Sequence, residues 1–250
     1  MPVVCVPGWA SSAFQFRKNL PALAEAGFRA IAVDLPGQGE SEKPTDPTFY
    51  TIRALTNHLQ AVLDELGIRR ASLVGQSLGA VVVTALWRDA PARVAKLVLI
   101  APVGWGDIGL VRVGRLLLPR KWPRLLGRLG WRFWWSIGLR HAYGERARPS
   151  ARDVDEYWAP SRDPWYVASL VELVHRVDWR PIGREELESV TAPVLVVAGT
   201  RDPLLAHEEI AMRIKWLPNG EIVVIEGAGH PLQEEVPHDV NRALIRFLKA

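Results

Sequence analysis

Apolar residues in this chain gather into short runs, separated by longer stretches whose apolar positions recur three and four apart. The runs are Val3–Val6, Ala30–Val33, Ala71–Val74, Leu97–Ile100, Val194–Ala198 and Glu221–Ile225. Each reads as apolar on both faces, the pattern of strands buried inside a parallel sheet. The stretches between them read as helices. Thr51 is placed to cap a helix running to Leu66, with Ile52, Leu55, Leu59, Val62, Leu63 and Leu66 on one face and Gly67 as its stop. Ser77–Asp89, Ala206–Trp216 and Val236–Leu248 supply three more. Strand alternating with helix predicts an α/β fold with a doubly wound, mostly parallel sheet.

The alternation stops after Ile100. From Val103 to Pro181 no strand pattern appears, and Pro and Gly cut the segment into short helices. Eight of the eleven tryptophans fall here. The pattern predicts a core made of residues 1–102 and 182–250, carrying residues 103–181 as a helical insertion.

Composition adds three constraints. With 250 residues, 48% of them apolar, the chain has enough material for a large core. The single cysteine, Cys5, excludes an internal disulfide and a cysteine-based zinc site, and its apolar neighbours point to a buried thiol. One cysteine and no leader or spanning segment suit a cytoplasmic protein. The net charge is +4, but residues 103–152 alone hold eleven Lys and Arg against Asp107 and Glu145. Within that region Leu110–Arg140 interleaves Arg and Lys with Leu, Trp and Phe, so peripheral contact with a membrane surface is one reading. A cap with its apolar face on a site and its arginines in water is the favoured one. No nucleic-acid module accompanies the charge.

The chemistry is concentrated in Gly75-Gln76-Ser77-Leu78-Gly79, placed where a strand turns directly into a helix. A turn that sharp brings the residues two before and two after the serine against neighbouring elements, and glycine removes the collision. The serine hydroxyl then stands at the carboxyl end of the sheet, under the positive end of a helix. A hydroxyl needs a base, and the base needs an orienting acid. Of six histidines, His230 alone follows a strand and a glycine-rich turn, Glu226-Gly227-Ala228-Gly229. His58, His207 and His238 read as exposed, and His141 and His175 belong to the insertion. Asp202, directly after Val194–Ala198, is the candidate acid, although a turn role before Pro203 is equally ordinary. Asp34 reads as a backbone-fixing carboxylate and Asp178 as a weaker alternative. The backbone N–H groups of Leu78 and of Trp9, in the loop after the first strand, are the candidate oxyanion donors. Gln76, Trp105, Trp134 and Trp135 are candidate walls of the substrate pocket. No metal-ligand cluster or phosphate-binding loop is present, so no cofactor is expected.

Pro7-Gly8-Trp9, the Ser77 pentapeptide, Gly199-Thr200-Arg201-Asp202, Gly227-Ala228-Gly229-His230 and Asp34-Leu35-Pro36-Gly37-Gln38-Gly39-Glu40-Ser41 together resemble the α/β-hydrolase fold superfamily, in its capped esterase and C–C hydrolase-like branch. The resemblance implies Ser77, Asp202 and His230 as nucleophile, acid and base, Trp9 and Leu78 at the oxyanion hole, and residues 103–181 as the cap. Three features depart from the family pattern. Pro7 replaces the usual histidine before Gly8. Gln76 and Ala80 replace a frequent His or Trp and a frequent Gly. The usual first hairpin is absent, which predicts a shorter sheet with its edge exposed or covered by a partner. A serine at 77 is also the wrong nucleophile for the haloalkane dehalogenases and epoxide hydrolases of this fold, which need a carboxylate. The expected activity is hydrolysis of an apolar carboxylic ester through an acyl-enzyme. The alternatives are C–C cleavage of a β-diketone-like ring-cleavage product, or a ligand receptor with little turnover.

Overall fold

A computed structural model describes residues 1–105, Arg115 and 132–250 of the chain. Residues 106–114 and 116–131, which carry much of the basic, Leu- and Trp-rich Leu110–Arg140 stretch, lie outside the described residues.

Six strands form one sheet: β1 (Pro2–Val6), β2 (Arg29–Ala32), β3 (Ala71–Gln76), β4 (Val94–Ile100), β5 (Val194–Gly199) and β6 (Gly220–Ile225). Every pairing is parallel, in the order β2-β1-β3-β4-β5-β6. Side chains alternate between two apolar layers, as the two-residue period of a strand requires. Val4, Val6, Leu73, Leu97, Leu99, Val194 and Val196 face one layer. Val3, Cys5, Val74, Val98, Ile100, Leu195 and Val197 face the other. The central strands are thus apolar on both faces, as their sequence predicts. At the ends of the sheet the expectation holds less well: Arg29, Gly220, Glu221 and Val224 are exposed and the rest of β2 and β6 except Ile225 is only half-buried. An edge strand has neighbours on one side only.

The first layer is covered by α2 (Ile52–Glu65) and α3 (Leu78–Asp89). In α2 the Thr51 hydroxyl caps the Ala54 N–H, and Leu55, Leu59 and Leu63 form the buried stripe. The second layer is covered by α1 (Leu20–Glu25), for which no sequence signal stood out, and by the C-terminal helix Pro237–Lys249, with Val240, Leu244 and Phe247 buried. Cys5 is fully buried in this layer, and desolvation pushes its thiol up to about 12, so it is an inert packing group.

Between β4 and β5 the described residues form α4 (Arg132–Ala142), α5 (Ala151–Trp158), α6 (Tyr166–Arg176) and α7 (Arg184–Glu188), with no strand among them. Tyr166, Leu170, Leu173 and Val177 pack into the same apolar layer as Leu35 and Tyr50, while Leu139, Tyr143 and Val154 make a small satellite cluster. The remaining helices are α8 (His207–Arg213), α9 (Leu232–Glu235) and α10 (Pro237–Lys249). No helix among the described residues is long and apolar enough to cross a membrane.

The order of strands locates the site. From β1 the chain moves outward to β2 and then back across to β3, so the loops that leave the carboxyl ends of β1 and β3 diverge. Such a divergence opens a crevice above the sheet, where ligands bind in open α/β folds.

Candidate active site

Ser77 occupies the single residue between β3 and α3, with φ 53° and ψ −116°. That left-handed backbone is costly for a residue with a Cβ. Close packing around the turn enforces it. A Cβ on Gly75 would stand 2.5 Å from the Gly79 carbonyl oxygen, and one on Gly79 would stand 2.1 Å from that of Val6. Both neighbours are backbone and cannot swing aside. The glycines expected to permit the turn are therefore required by contacts on both sides of the serine. Ser77 is 6% exposed, and its hydroxyl does not cap the helix it begins.

Asp202 and His230 arrive from the ends of β5 and β6. His230 Nδ1 lies 2.8 Å from Asp202 Oδ2. The other oxygen of Asp202 accepts the N–H groups of Leu204 at 2.8 Å and Leu205 at 3.2 Å. The turn fixes the carboxylate, and the fixed carboxylate bonds the ring. Its side chain is only 2% exposed. With Nδ1 engaged, Nε2 is the nitrogen left to meet a hydroxyl. Gln76 Nε2 donates to the His230 carbonyl at 3.2 Å, tying the residue before the serine to the histidine.

The loop after β1 supplies a donor by subtraction. The Gly8 N–H is taken by Gln15 Oε1 at 3.2 Å and the Ala10 N–H by Gln38 Oε1 at 2.6 Å. Between them the Trp9 N–H has no acceptor among the described residues. Leu78 is the first residue of α3, where an N–H has no partner within the helix. The loop presses on the elbow: a Cβ on Gly8 would stand 3.0 Å from Ser77 Cβ. The Trp9 ring is fixed from behind, its Nε1 donating to the Leu170 carbonyl at 3.0 Å. Ser11 Oγ and Gln15 complete the support. These side chains hold the loop that Pro7 leaves without the usual histidine. Sequence reading missed Gln15 and Gln38, because a glutamine in an irregular loop carries no sign of the amide it will meet. Asp34 does fix backbone as expected, accepting from Ala13 N–H at 2.5 Å and Glu40 N–H at 2.9 Å.

The four pocket candidates stand in different surroundings. Gln76 is 1% exposed and serves as the strut just described. Trp134 is 62% exposed and stands edge-to-face on Phe133, in solvent. Trp135 is half-buried beside Tyr166, ring centroids 6.0 Å apart. Trp105 is buried and lines a cleft of about 180 Å³ with Ala80, Val81, Thr84 and Arg180, to which Ser77 does not contribute. Two histidine expectations also shift. His58 is half-buried, and burial lowers its pKa against the opposing pull of a hydrogen bond to the Asp34 backbone. His207 is partly covered and paired with Glu208 at 3.2 Å. Among the described residues no cluster of three His, Cys, Asp or Glu could hold a metal ion.

Comparison with known proteins agrees with this geometry. A family profile described as alpha/beta hydrolase fold matches residues 1–237. A haloalkane dehalogenase of Psychrobacter cryohalolentis is 29% identical, the match covering 99% of this chain and 83% of that protein. A 2-hydroxy-6-oxononadienedioate/2-hydroxy-6-oxononatrienedioate hydrolase of Paraburkholderia phymatum is 31% identical, covering 96% of this chain and 82% of that one. Among solved structures, a thermophilic esterase from Thermogutta terrifontis superposes with a TM-score of 0.82 at 25% identity, covering 100% of this chain and 89% of the other.

Proposed function

The chain belongs to the alpha/beta hydrolase fold family, and from that membership we propose that it is a serine hydrolase cleaving carboxylic esters through an acyl-enzyme. The observation that carries the reading is the Asp202–His230 bond of 2.8 Å, on a histidine that Gln76 ties to the turn holding Ser77 at φ 53°. His230 Nε2 takes the proton of Ser77 Oγ as that oxygen attacks the ester carbonyl. The negative oxygen of the tetrahedral intermediate is met by the N–H groups of Trp9 and Leu78, each such donor supplying about 3–4 kcal/mol. His230 passes its proton to the departing alkoxide, then draws one from water to release the acid. Asp202 keeps the imidazole in one tautomer and stabilises its charged form. The apolar, tryptophan-rich composition of residues 103–181 suits an apolar acyl or alcohol part.

Likeness to a haloalkane dehalogenase does not carry that reaction across. Displacement of halide by Ser77 would leave an ether, which the His230-activated water cannot open. C–C hydrolysis is the second reading, favoured by the 31% identical ring-cleavage hydrolase. The test is labelling with a fluorophosphonate and mapping by mass, alongside turnover of an aryl ester and of a vinylogous diketone. Modification of Ser77, with ester turnover abolished in Ser77→Ala, is expected. Full ester turnover in Ser77→Ala would end the proposal. Faster diketone turnover would select the second reading, and labelling without turnover of either would select the receptor.

A further inference from the structure

The loop that carries His230 has little rigidity of its own. Gly227 and Gly229 flank Ala228, and Gly227 adopts φ 74°, so the unfolded loop has many conformations to lose. It is held instead by what packs on it, residues 142–147 from the segment between β4 and β5. The Ala142 carbonyl accepts the His230 N–H at 2.8 Å, and the Gly227 carbonyl accepts the Glu145 N–H at 2.7 Å. The two backbones touch directly: a Cβ on Gly229 would stand 2.3 Å from the Gly144 nitrogen. One side chain binds both strands of this contact. Glu235 Oε2 accepts the Gly229 N–H at 2.7 Å and the Gly144 N–H at 3.0 Å. Its Oε1 accepts the N–H groups of Arg146 at 3.0 Å and Ala147 at 3.4 Å. Four backbone donors converge on a carboxylate that is 5% exposed. An ionised carboxylate has about four acceptor positions and no donor, so the group is matched to four N–H groups as no amide or hydroxyl would be.

We propose that Glu235 is a positioning residue for His230, clamping the histidine loop to residues 142–147 so that the imidazole stays over Ser77. The proposal rests on the reading of Ser77, Asp202 and His230 as the catalytic groups. Glu235 touches none of the reacting atoms; it acts on Gly229, the residue before the base. A carboxylate that merely stabilised the fold would leave the surviving enzyme with normal turnover. One that sets the position of the base lowers kcat in molecules that are fully folded, and leaves substrate affinity alone.

The test uses the full chain and p-nitrophenyl butyrate, with Glu235→Ala, Glu235→Gln and, as a control carboxylate on the surface, Glu221→Gln. In Glu235→Ala, kcat is expected to fall about 100-fold with KM within about threefold, the scale of a catalytic group displaced by about 1 Å. Glutamine keeps one acceptor oxygen and turns an NH₂ toward the other two donors, so Glu235→Gln is expected between wild type and Ala. The proton on His230 Nδ1, bonded to Asp202, gives a low-field NMR resonance that the wild type and Glu221→Gln keep. Both Glu235 variants broaden or lose it. If Glu235→Ala does not fold, Glu235→Gln carries the same measurements. Folded Glu235 variants with wild-type kcat, with a loss confined to KM, or with the low-field resonance intact would overturn the proposal. Should the wild type neither turn over the ester nor label at Ser77, the catalytic reading fails separately, and the resonance still decides whether Glu235 sets the ring.

Discussion

The nucleophile elbow and the histidine loop perform the same task, delivering one side chain to the carboxyl end of the sheet, yet they are held by opposite means. The elbow is held by exclusion. Gly75 and Gly79 lie within a few residues of Ser77, and the atoms they avoid belong to the end of β1, to Pro7 after it and to α3 itself. The histidine loop is held by attraction from afar. Its contacts come from Ala142, Gly144 and Glu145, from Gln76, and from Glu235 in α9. Steric exclusion is local and tolerates no added atom. A hydrogen-bonded clamp is spread over many groups and weakens gradually. The two regions should therefore fail differently when perturbed, and the same contrast decides what could be read from the sequence.

The largest effect belongs to the elbow. Gly79→Ala places a methyl 2.1 Å from the Val6 carbonyl oxygen, backbone against backbone. We expect a loss of about 3 kcal/mol or more, at the upper end for overpacking, and no measurable turnover. Urea unfolding reads the first and ester hydrolysis the second. A folded, active Gly79→Ala would show that the elbow relaxes and that the contrast with the histidine loop is false. Asp202→Asn comes next. It keeps the shape of the side chain but favours the wrong imidazole tautomer, so kcat should fall by about 10⁴-fold with little change in unfolding midpoint. If kcat instead falls less than about tenfold, Asp202 is a turn residue and nothing more.

These first two positions were legible before any coordinates, for a physical reason. Glycine spacing around Ser77 and the glycine-rich approach to His230 are imprinted on contiguous residues, because a turn that sharp needs residues without a Cβ close beside it, whatever backbone they meet. All six strands were legible too, since each must be apolar on the faces it buries. Residues that act across the fold left no such imprint. Gln38 meets Ala10 only after β1 and the loop following β2 have come together, and Gln15 meets Gly8 within one irregular loop that has no period to mark it. Glu235 meets Gly144 across a separation of 91 residues. Trp134 was named from its type, which suggests burial, whereas the face of α4 that it occupies is exposed. α1 and α9 were missed because helices of six and four residues are too short to show a period.

The oxyanion loop lies between the two extremes and sharpens the comparison. It presses on the elbow through Gly8 yet is held by distant side chains, like the histidine loop. Gln38→Leu removes the acceptor of the Ala10 N–H while leaving a similar volume. We expect kcat to fall about 100-fold, comparable to the loss of one oxyanion donor, with KM nearly unchanged. Steady-state kinetics on an aryl ester checks this. A fall below about threefold would mean that packing of Trp9 against Leu170, rather than the glutamine, sets the direction of its N–H.

The smallest effect on turnover, and the one that probes the clamp's surroundings, concerns Glu234. This carboxyl is fully buried next to Glu235. It is paired with Arg17, accepts from Tyr157 at 2.8 Å and Tyr143 at 3.4 Å, and shares Arg17 with Asp153, 2.5 Å away from the guanidinium; Lys18 donates to the Glu234 backbone carbonyl. Burial raises the Glu234 pKa to about 7 from its ordinary 4.5; the charge of Asp153 adds to the rise, and Arg17 and Tyr157 oppose it. The native state then holds a proton that the unfolded chain has already released. Its contribution to stability is complete below about pH 4.5, and it is lost as pH rises through about 7. The slope in that window is at most about 1.4 kcal/mol per pH unit for one proton. Glu234→Gln removes the titration, so wild type should lose stability relative to this variant between pH 5 and pH 7, as read by urea unfolding at each pH, while kcat at fixed pH barely changes. A wild type that gains stability over the variant across the same range would mean that pairing with Arg17 outweighs burial. The cluster beside the histidine loop would then hold by charge, as the clamp on the loop does by hydrogen bonds.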